Sequence, residues 1–291
     1  MKLDYNIKEL IKKYAALIET NKFDQLYETL AKSAQESAFI PDITEVFESA
    51  GINPLDYMTY IESGMYYQSQ LTEINIPNNI RSIQRKAFEA AYINKIVMSD
   101  SVKTIGHRCF SDCRDLTHIT LSNRIEVIPN LCFDYCSALS TIKLPDRCVV
   151  IGYGAFANCQ NLRNIDFNNS LDKIEKRAFQ GAGLRVLEFP RSLKLIDDSA
   201  FSCCDQLEKV VIPGNTIIKN DCFSNCDQLR EVALGKDVEL VDGFNFSDCG
   251  NLEIITYLGT KDQFMSKNLP KTWFGGSSIE VVRCTDGDIE I

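Results

Sequence analysis

The chain alternates short apolar strips with polar turns, and the pattern recurs every 22 or 23 residues. Each copy contains a phenylalanine, with an isoleucine or valine five positions before it and a cysteine or alanine three positions after it. The eight phenylalanines are Phe88, Phe110, Phe133, Phe156, Phe179, Phe201, Phe223 and Phe246. A fixed period of this length predicts a solenoid, because each unit buries its apolar face only by stacking on its neighbours.

Each copy has two halves with different periodicity. In the copy that contains Phe110, Ile119 and Leu121 alternate with polar residues, which predicts a half-buried strand. Earlier in that copy, Cys109, Phe110 and Cys113 have the spacing of a single helical turn. The pattern therefore predicts strand, turn, short helix and turn in every coil, with the rings and thiols facing a shared core.

The region before the repeats has a helical period instead. Residues 1–70 predict a small all-α domain of four helices, the last of which carries Leu55, Met58 and Ile61 along one stripe. This region is either a cap on the first coil or an independent interaction domain.

The repeats themselves occupy residues 71–258, as about eight to nine coils. Residues 259–291 are expected to close the other end, with a helix near 261–267 and an edge strand over 279–284. A cap is needed at each end because a terminal coil otherwise exposes its apolar cross-section.

The repeated motif resembles the BspA-like (Treponema-type) leucine-rich repeat family, whose units carry an A-F-x-x-C core and an I-x-L-P strand end. In this sequence Pro145, Pro190 and Pro213 stand at the strand ends, and the resemblance covers roughly residues 71–258. It implies an α/β repeat fold, a right-handed leucine-rich-repeat solenoid, that binds proteins. Members of the family are often exported surface proteins.

Charge and hydropathy narrow the choice of partner and location. The net charge of −9 argues against nucleic acid, whose binding proteins usually have a basic face. No apolar run is long enough to insert in a membrane, and the first residues lack the apolar core of a signal peptide. The sequence as written therefore predicts a cytoplasmic protein. The alternative is a BspA-like cell-surface adhesin whose export signal is absent from this sequence.

Most of the twelve cysteines occur at fixed positions of the repeat. Nine of them fall at two positions that are expected to face the core, which favours reduced, buried thiols over a disulfide framework. Cys203 occupies a repeat position that is otherwise polar, and it is the candidate for an exposed, reactive thiol.

The sequence contains no recognisable set of catalytic residues. His107 lies two residues before Cys109, but Cys109 occupies a core slot that alanine fills in other copies, so a thiol nucleophile is not predicted. The C-x-x-x-C pairs lack a histidine that would complete a zinc site. We therefore predict no enzymatic activity, no metal and no cofactor.

What remains is a binding surface on the outward strand positions. We expect a non-catalytic scaffold that recognises another protein through its concave strand face, through the helical amino-terminal domain, or through both. The partner's identity and the oligomeric state stay open. The candidate binding residues on the concave face are His118, Thr120, Thr141, Lys143, Asn164, Asp166 and Glu188.

Overall fold

The protein is described from a computed structural model, which covers residues 53–241, 243–267, 269, 273 and 275–291. The three amino-terminal helices predicted before residue 53 lie outside the described residues. The helix predicted from Asn53 does not form as expected. A single 3-10 turn spans Pro54–Tyr57, and the chain then extends into a strand at Tyr60–Ile61.

The described chain winds into a right-handed β-solenoid with two rows of parallel strands and almost no helix. The long-strand row contains the alternating segments predicted from the sequence. Its members are β2 Glu73–Ile76, β4 Lys95–Met98, β6 His118–Thr120, β8 Thr141–Lys143, β10 Asn164–Asp166, β12 Val186–Glu188, β14 Lys209–Ile212, β16 Glu231–Leu234 and β18 Ile254–Tyr257.

A second row of two-residue strands runs, in all but the last coil, through the isoleucine five positions before the aromatic ring; the last strand ends at Leu240. The sequence pattern did not predict this row. Its members are β1 Tyr60–Ile61, β3 Ser82–Ile83, β5 Thr104–Ile105, β7 Val127–Ile128, β9 Val150–Ile151, β11 Lys173–Ile174, β13 Leu195–Ile196, β15 Ile217–Ile218 and β17 Glu239–Leu240. In both rows each strand pairs in parallel with a strand of the adjacent coil, as in Ile142 with Ile165.

The short helix predicted around each phenylalanine is wrong. Turns occupy these positions, and the residues two before and two after the ring usually have positive φ, as at Arg108 (φ 55°) and Asp112 (φ 61°) around Phe110. A left-handed residue breaks the right-handed helical path. The tight turns let the Phe110 backbone N–H donate to the Cys132 carbonyl of the next coil instead of to its own coil.

A stack of aromatic rings forms the centre of the solenoid. The eight phenylalanines are completely buried, and successive rings lie 5.0–5.4 Å apart in near-parallel planes. Tyr66 extends the stack at one end, 4.7 Å from Phe88. Trp273 closes the other end, edge-on to Phe246 at 5.4 Å. Offset stacks at such distances are favourable, so the rings stabilise the stacking of coils as well as filling the core.

Tyr66 also shows that the solenoid starts earlier than expected. Ile61 and Tyr66 repeat the spacing of Ile83 and Phe88, and β1 pairs with β3. The Asn79 amide donates to the carbonyls of Leu55 and Met58, which ties the 3-10 turn to the next coil. The described part of the predicted amino-terminal domain therefore packs as a coil of the solenoid and is not helical as expected.

Six buried thiols form a second internal row beside the rings. Each donates to the carbonyl of the phenylalanine one coil earlier, as in Cys136 to Phe110 (3.1 Å) and Cys159 to Phe133 (3.1 Å). Ten of the twelve cysteines are buried, including the nine at the two repeat positions that were expected to face the core. The thiols therefore link neighbouring coils through weak hydrogen bonds.

The described residues at the carboxyl-terminal end include an α-helix and a hairpin. Helix α1 spans Lys261–Met265, within the range predicted for it, and begins with a capping box between Thr260 and Gln263. Strand β19, Val281–Cys284, joins the long-strand row beside β18. It is not the edge strand predicted there, because β20, Gly287–Glu290, pairs antiparallel on its outer side.

Candidate functional site

The predicted binding residues all lie on one outward surface of the long-strand row, which we call the strand face. They occupy alternate positions of β6, β8, β10 and β12, and all seven are exposed: His118, Thr120, Thr141, Lys143, Asn164, Asp166 and Glu188. Alternation places them outward because the intervening residues, such as Ile142 and Leu187, point into the core. The structure therefore arranges these residues in two parallel rows across neighbouring coils.

The strand register brings some of them directly together. Thr141 is opposite Asn164, and Lys143 is opposite Asp166, in the pair formed by β8 and β10. Glu188 lies one coil further along, on β12, which is not hydrogen-bonded to β10. Adjacent paired strands are about 4.8 Å apart, so side chains on neighbouring coils can contact the same bound group.

On both sides of this centre, the charges on the strand face are paired. Lys95 lies 3.7 Å from Glu73, and Lys209 lies 2.8 Å from Glu231. The hydrogen bond from Lys209 to the Glu231 carboxylate raises the pKa of Lys209. Both pairs cross between strands of adjacent coils, so they neutralise the strand face at its flanks.

The central charges have no such pairing. Lys143, Asp166 and Glu188 make no ion pair within the described part of the chain, even though Lys143 and Asp166 are in register. Glu188 is nevertheless near enough to Lys209 to contribute to the raised pKa of that lysine. Their charged groups therefore remain available to solvent or to a bound molecule. We call these three residues, with the neighbouring Thr120 and Asn164, the central patch.

An apolar strip adjoins the central patch toward the carboxyl terminus. Val186 is 45% exposed, whereas Val211, Ala233 and Ile254 are half-buried. The structure shows that most of them are partly covered by their neighbours. The charged central patch therefore borders a modest apolar strip on the strand face.

The Cys109 thiol cannot serve as a nucleophile in this fold. Cys109 is completely buried, and burial raises the pKa of its thiol well above the ordinary value. A nucleophilic cysteine needs an accessible thiolate, and burial in apolar surroundings opposes its formation. His107, two residues away, is on the surface.

Cys203 is exposed, as predicted, but it is not activated. It lies in an open groove of about 370 Å³ beside Ser202, Asp221 and Asn225. Partial burial and the nearby Asp205 carboxylate raise the pKa of its thiol. The interpretation of Cys203 as a reactive thiol is therefore not supported, although the side chain is accessible.

Metal binding and membrane insertion are two further possibilities for the described residues. No group of three or more histidine, cysteine, aspartate or glutamate side chains there is arranged to hold a metal ion. None of the helices in the same part of the chain combines the length and apolarity that crossing a bilayer requires.

The parallel strand rows and the internal ring stack define the class of protein: a leucine-rich-repeat solenoid with an open strand face. The chain belongs to the BspA-type leucine-rich repeat family. The family's repeat region matches residues 59–183 and 149–269, in six copies. The family resemblance seen in the repeat motif is thereby confirmed, and the family is one of repeat scaffolds.

A comparison with solved structures finds similar bacterial proteins. A leucine-rich repeat protein from Bacteroides ovatus is 27% identical, with a TM-score of 0.60, over 72% of this chain and 63% of that one. A leucine-rich cell surface protein from Faecalibacterium prausnitzii is 24% identical, with a TM-score of 0.45, over 74% of this chain and 60% of that one. This chain thus spans less than two thirds of either protein. No curated protein matches the chain.

Proposed function

We propose that this protein is a non-catalytic scaffold that binds a protein partner through the central patch of its strand face. The observation that carries the proposal is a difference in ion pairing between the flanks and the centre of the strand face. The flanking charges of the strand face are neutralised by Lys95–Glu73 and Lys209–Glu231. Lys143, Asp166 and Glu188 form no ion pair with any of the described residues, and Glu188 has only a longer-range attraction to Lys209.

Unpaired surface charges determine which partners can cover the central patch. A partner that buried Lys143, Asp166 and Glu188 without compensation would pay the cost of removing three charges from water. A fitting partner therefore presents a carboxylate to Lys143 and basic groups to Asp166 and Glu188. Such complementarity mainly determines specificity and the rate of association.

The neighbouring residues support the same assignment. Thr120 and Asn164 provide exposed hydrogen-bonding groups at the edge of the charges, and Val186 begins the apolar strip. A polar, hydrogen-bonding region beside apolar contact area is usual for protein–protein surfaces. The helical amino-terminal segment, predicted as another binding element, lies outside the described residues and stays a prediction.

The proposal is tested by exchanging the two facing charges. The Lys143→Glu/Asp166→Lys variant reverses the charge pattern and leaves the net charge unchanged. We expect affinity capture with the full chain, from the host lysate, to lose the proteins retained by the wild type.

A matched control makes the same kind of exchange away from the strand face. Lys103 and Asp115 are both exposed and lie outside the long strands, so Lys103→Glu/Asp115→Lys should retain the captured proteins. Thermal unfolding should show that both variants are folded. Retention of the same proteins by the folded Lys143/Asp166 variant would remove the central patch from the proposal.

A further inference from the structure

The long-strand row ends in an open edge. Strand β20 pairs antiparallel with β19 on one side, and no strand in the described part of the chain pairs with its other side. The register sets Cys284 opposite Gly287 and Val282 opposite Ile289. A short turn joins the two strands, and helix α1 contacts β20 near that turn. Asp288 and Glu290, further along β20, are exposed.

The register also determines which backbone groups point outward. In an antiparallel pair, residues alternate between bonding to the partner strand and facing away from it. The Ile291 N–H donates to the Glu280 carbonyl, so Gly287, Ile289 and Ile291 face β19. The N–H and C=O groups of Asp288 and Glu290 consequently point to the open edge.

The same two residues give the edge its charge. Asp288 and Glu290 are exposed and project to one side of β20, because residues two apart share a face. Asp286, in the turn, is already engaged, since its carboxylate accepts from the Lys261 N–H at 2.8 Å. Arg283, directly across from Asp288, is the opposing basic residue on β19. Open backbone groups and two carboxylates therefore coincide at one edge.

This charge opposes pairing of β20 with a second copy of itself. If two copies of β20 paired antiparallel about a two-fold axis through their outward backbone groups, Asp288 of one copy would lie opposite Glu290 of the other. Like charges directly opposite each other destabilise a strand pair, whereas opposite charges stabilise it. Charged residues commonly protect edge strands from self-association in this way. A basic strand meets no such barrier.

We propose that β20 is a docking edge for an extended, basic segment of a partner protein. The segment adds to the row as a further strand, with main-chain hydrogen bonds to Asp288 and Glu290. Lysine or arginine at alternate positions of the segment contacts the two carboxylates. Addition of a strand to an exposed edge is an established mode of peptide recognition, in which the backbone gives affinity and alternate side chains give selectivity.

The test uses the full chain and a fluorescent synthetic peptide in which lysine alternates with valine. We expect its affinity to exceed that of a scrambled peptide of the same composition, and that of a peptide with glutamate in place of lysine, by about tenfold. Binding should weaken as salt is raised, because the contacts at the edge are exposed to solvent. Equal affinity for the alternating and scrambled peptides would overturn the proposal.

Two variants at one position separate backbone pairing from charge. Asp288→Pro removes an outward N–H without removing a bond to β19, and an edge strand tolerates proline at such a position. Asp288→Asn removes only the charge. We expect Asp288→Asn to weaken binding several-fold and Asp288→Pro to abolish it. Undiminished binding by a folded Asp288→Pro variant would contradict strand addition.

Sedimentation of the unlabelled chain tests whether a second copy of this chain, instead of a basic segment, pairs with β20. We expect a monomer whose mass is unchanged by Asp288→Pro; a dimer that this substitution dissociates would overturn the basic-segment proposal in favour of a second copy. The Lys143→Glu/Asp166→Lys variant should bind the lysine peptide as the wild type does. Failure of the strand-face proposal would therefore leave the edge proposal standing, and the reverse also holds.

Discussion

At the residue scale, stability depends on one ring per coil. Phe156 is completely buried, and its ring stacks at 5.1 Å on both Phe133 and Phe179. Its removal would leave a cavity between two other rings, and the repeat gives neither neighbour room to collapse into it. The cost is therefore expected near the upper part of the range for large-to-small core substitutions.

Phe156→Ala should lower the free energy of unfolding by about 3–5 kcal/mol. Phe244→Ala is the matched control: Phe244 is 50% exposed, so the same truncation there should change stability by less than about 0.5 kcal/mol. Urea unfolding followed by circular dichroism measures both. Similar losses for the two variants would show that the ring stack is not the main stabilising element.

The buried thiols should make the fold sensitive to alkali. Burial raises the pKa of Cys148 from 9.0 to about 11. Below the unfolded value the thiol is protonated in both states, and its contribution is fully present. Between pH 9 and 11 the unfolded chain loses this proton while the folded chain keeps it, so stability falls.

For Cys148 alone, the loss amounts to about 2 kcal/mol by pH 11. Cys148→Ala should therefore flatten the decline of stability between pH 9 and 11, as measured by urea midpoints across that range. Cys203→Ala, at an exposed thiol, should alter the decline less. An unchanged slope in Cys148→Ala would contradict the link between thiol burial and alkaline unfolding.

At the element scale, each coil is shaped by left-handed residues more than by its strands. Arg177, with φ 56°, and Gly181, with φ 68°, flank Phe179 and turn the chain on either side of the ring. A non-glycine residue pays about 1–2 kcal/mol for this conformation. Several coils lower the cost with asparagine, aspartate or glycine, but others retain arginine, leucine or serine.

Arg177 offers a direct measure of this cost. Its side chain is exposed, so Arg177→Gly and Arg177→Ala both remove it without opening a cavity. The glycine variant should be more stable than the alanine variant by about 1 kcal/mol, because only alanine keeps the steric penalty of a Cβ at positive φ. Thermal unfolding of the pair gives the comparison, and a more stable alanine variant would argue against the left-handed turn.

The sequence could predict the long strands because their apolar residues alternate over enough positions. It could not reveal the short row, where one buried isoleucine per strand leaves no alternation to detect. The spacing of Cys109, Phe110 and Cys113 predicted a helical turn, but this spacing also fits the tight turns that the structure has there. Asp112 and its equivalents, which favour left-handed turns, were the available contrary signal.

The sequence pattern did not predict the first coil because two of its repeat positions carry different residues. Tyr66 replaces phenylalanine and Ser69 replaces the cysteine or alanine, while the spacing is unchanged. The outward residues of the strand face followed from the repeat register. The repeat register did not predict which charges on the strand face form ion pairs. Lys209 and Lys143 each face a carboxylate in register, and only the side-chain conformations distinguish the two lysines.

At the scale of the whole molecule, each coil contacts chiefly its neighbours, so one core extends along the described chain. The two proposed binding regions lie on the same long-strand row. The central patch is on β6, β8, β10 and β12, and the docking edge is on β20, at the end of the row in the described chain. A scaffold of this kind can hold two different segments of protein at fixed separation without any moving part.

The stacking of coils in register is the claim on which both proposals depend, and native thiol labelling tests it most directly. Ten of the twelve cysteines are buried across the solenoid, whereas Cys203 is exposed and Cys284 is half-buried. With the native protein and a small alkylating reagent, mass spectrometry should find Cys203 modified first and Cys284 more slowly. The other ten should react only after denaturation. Modification of Cys113, Cys136 or Cys159 in the native protein at the rate of Cys203 would contradict the stacked core.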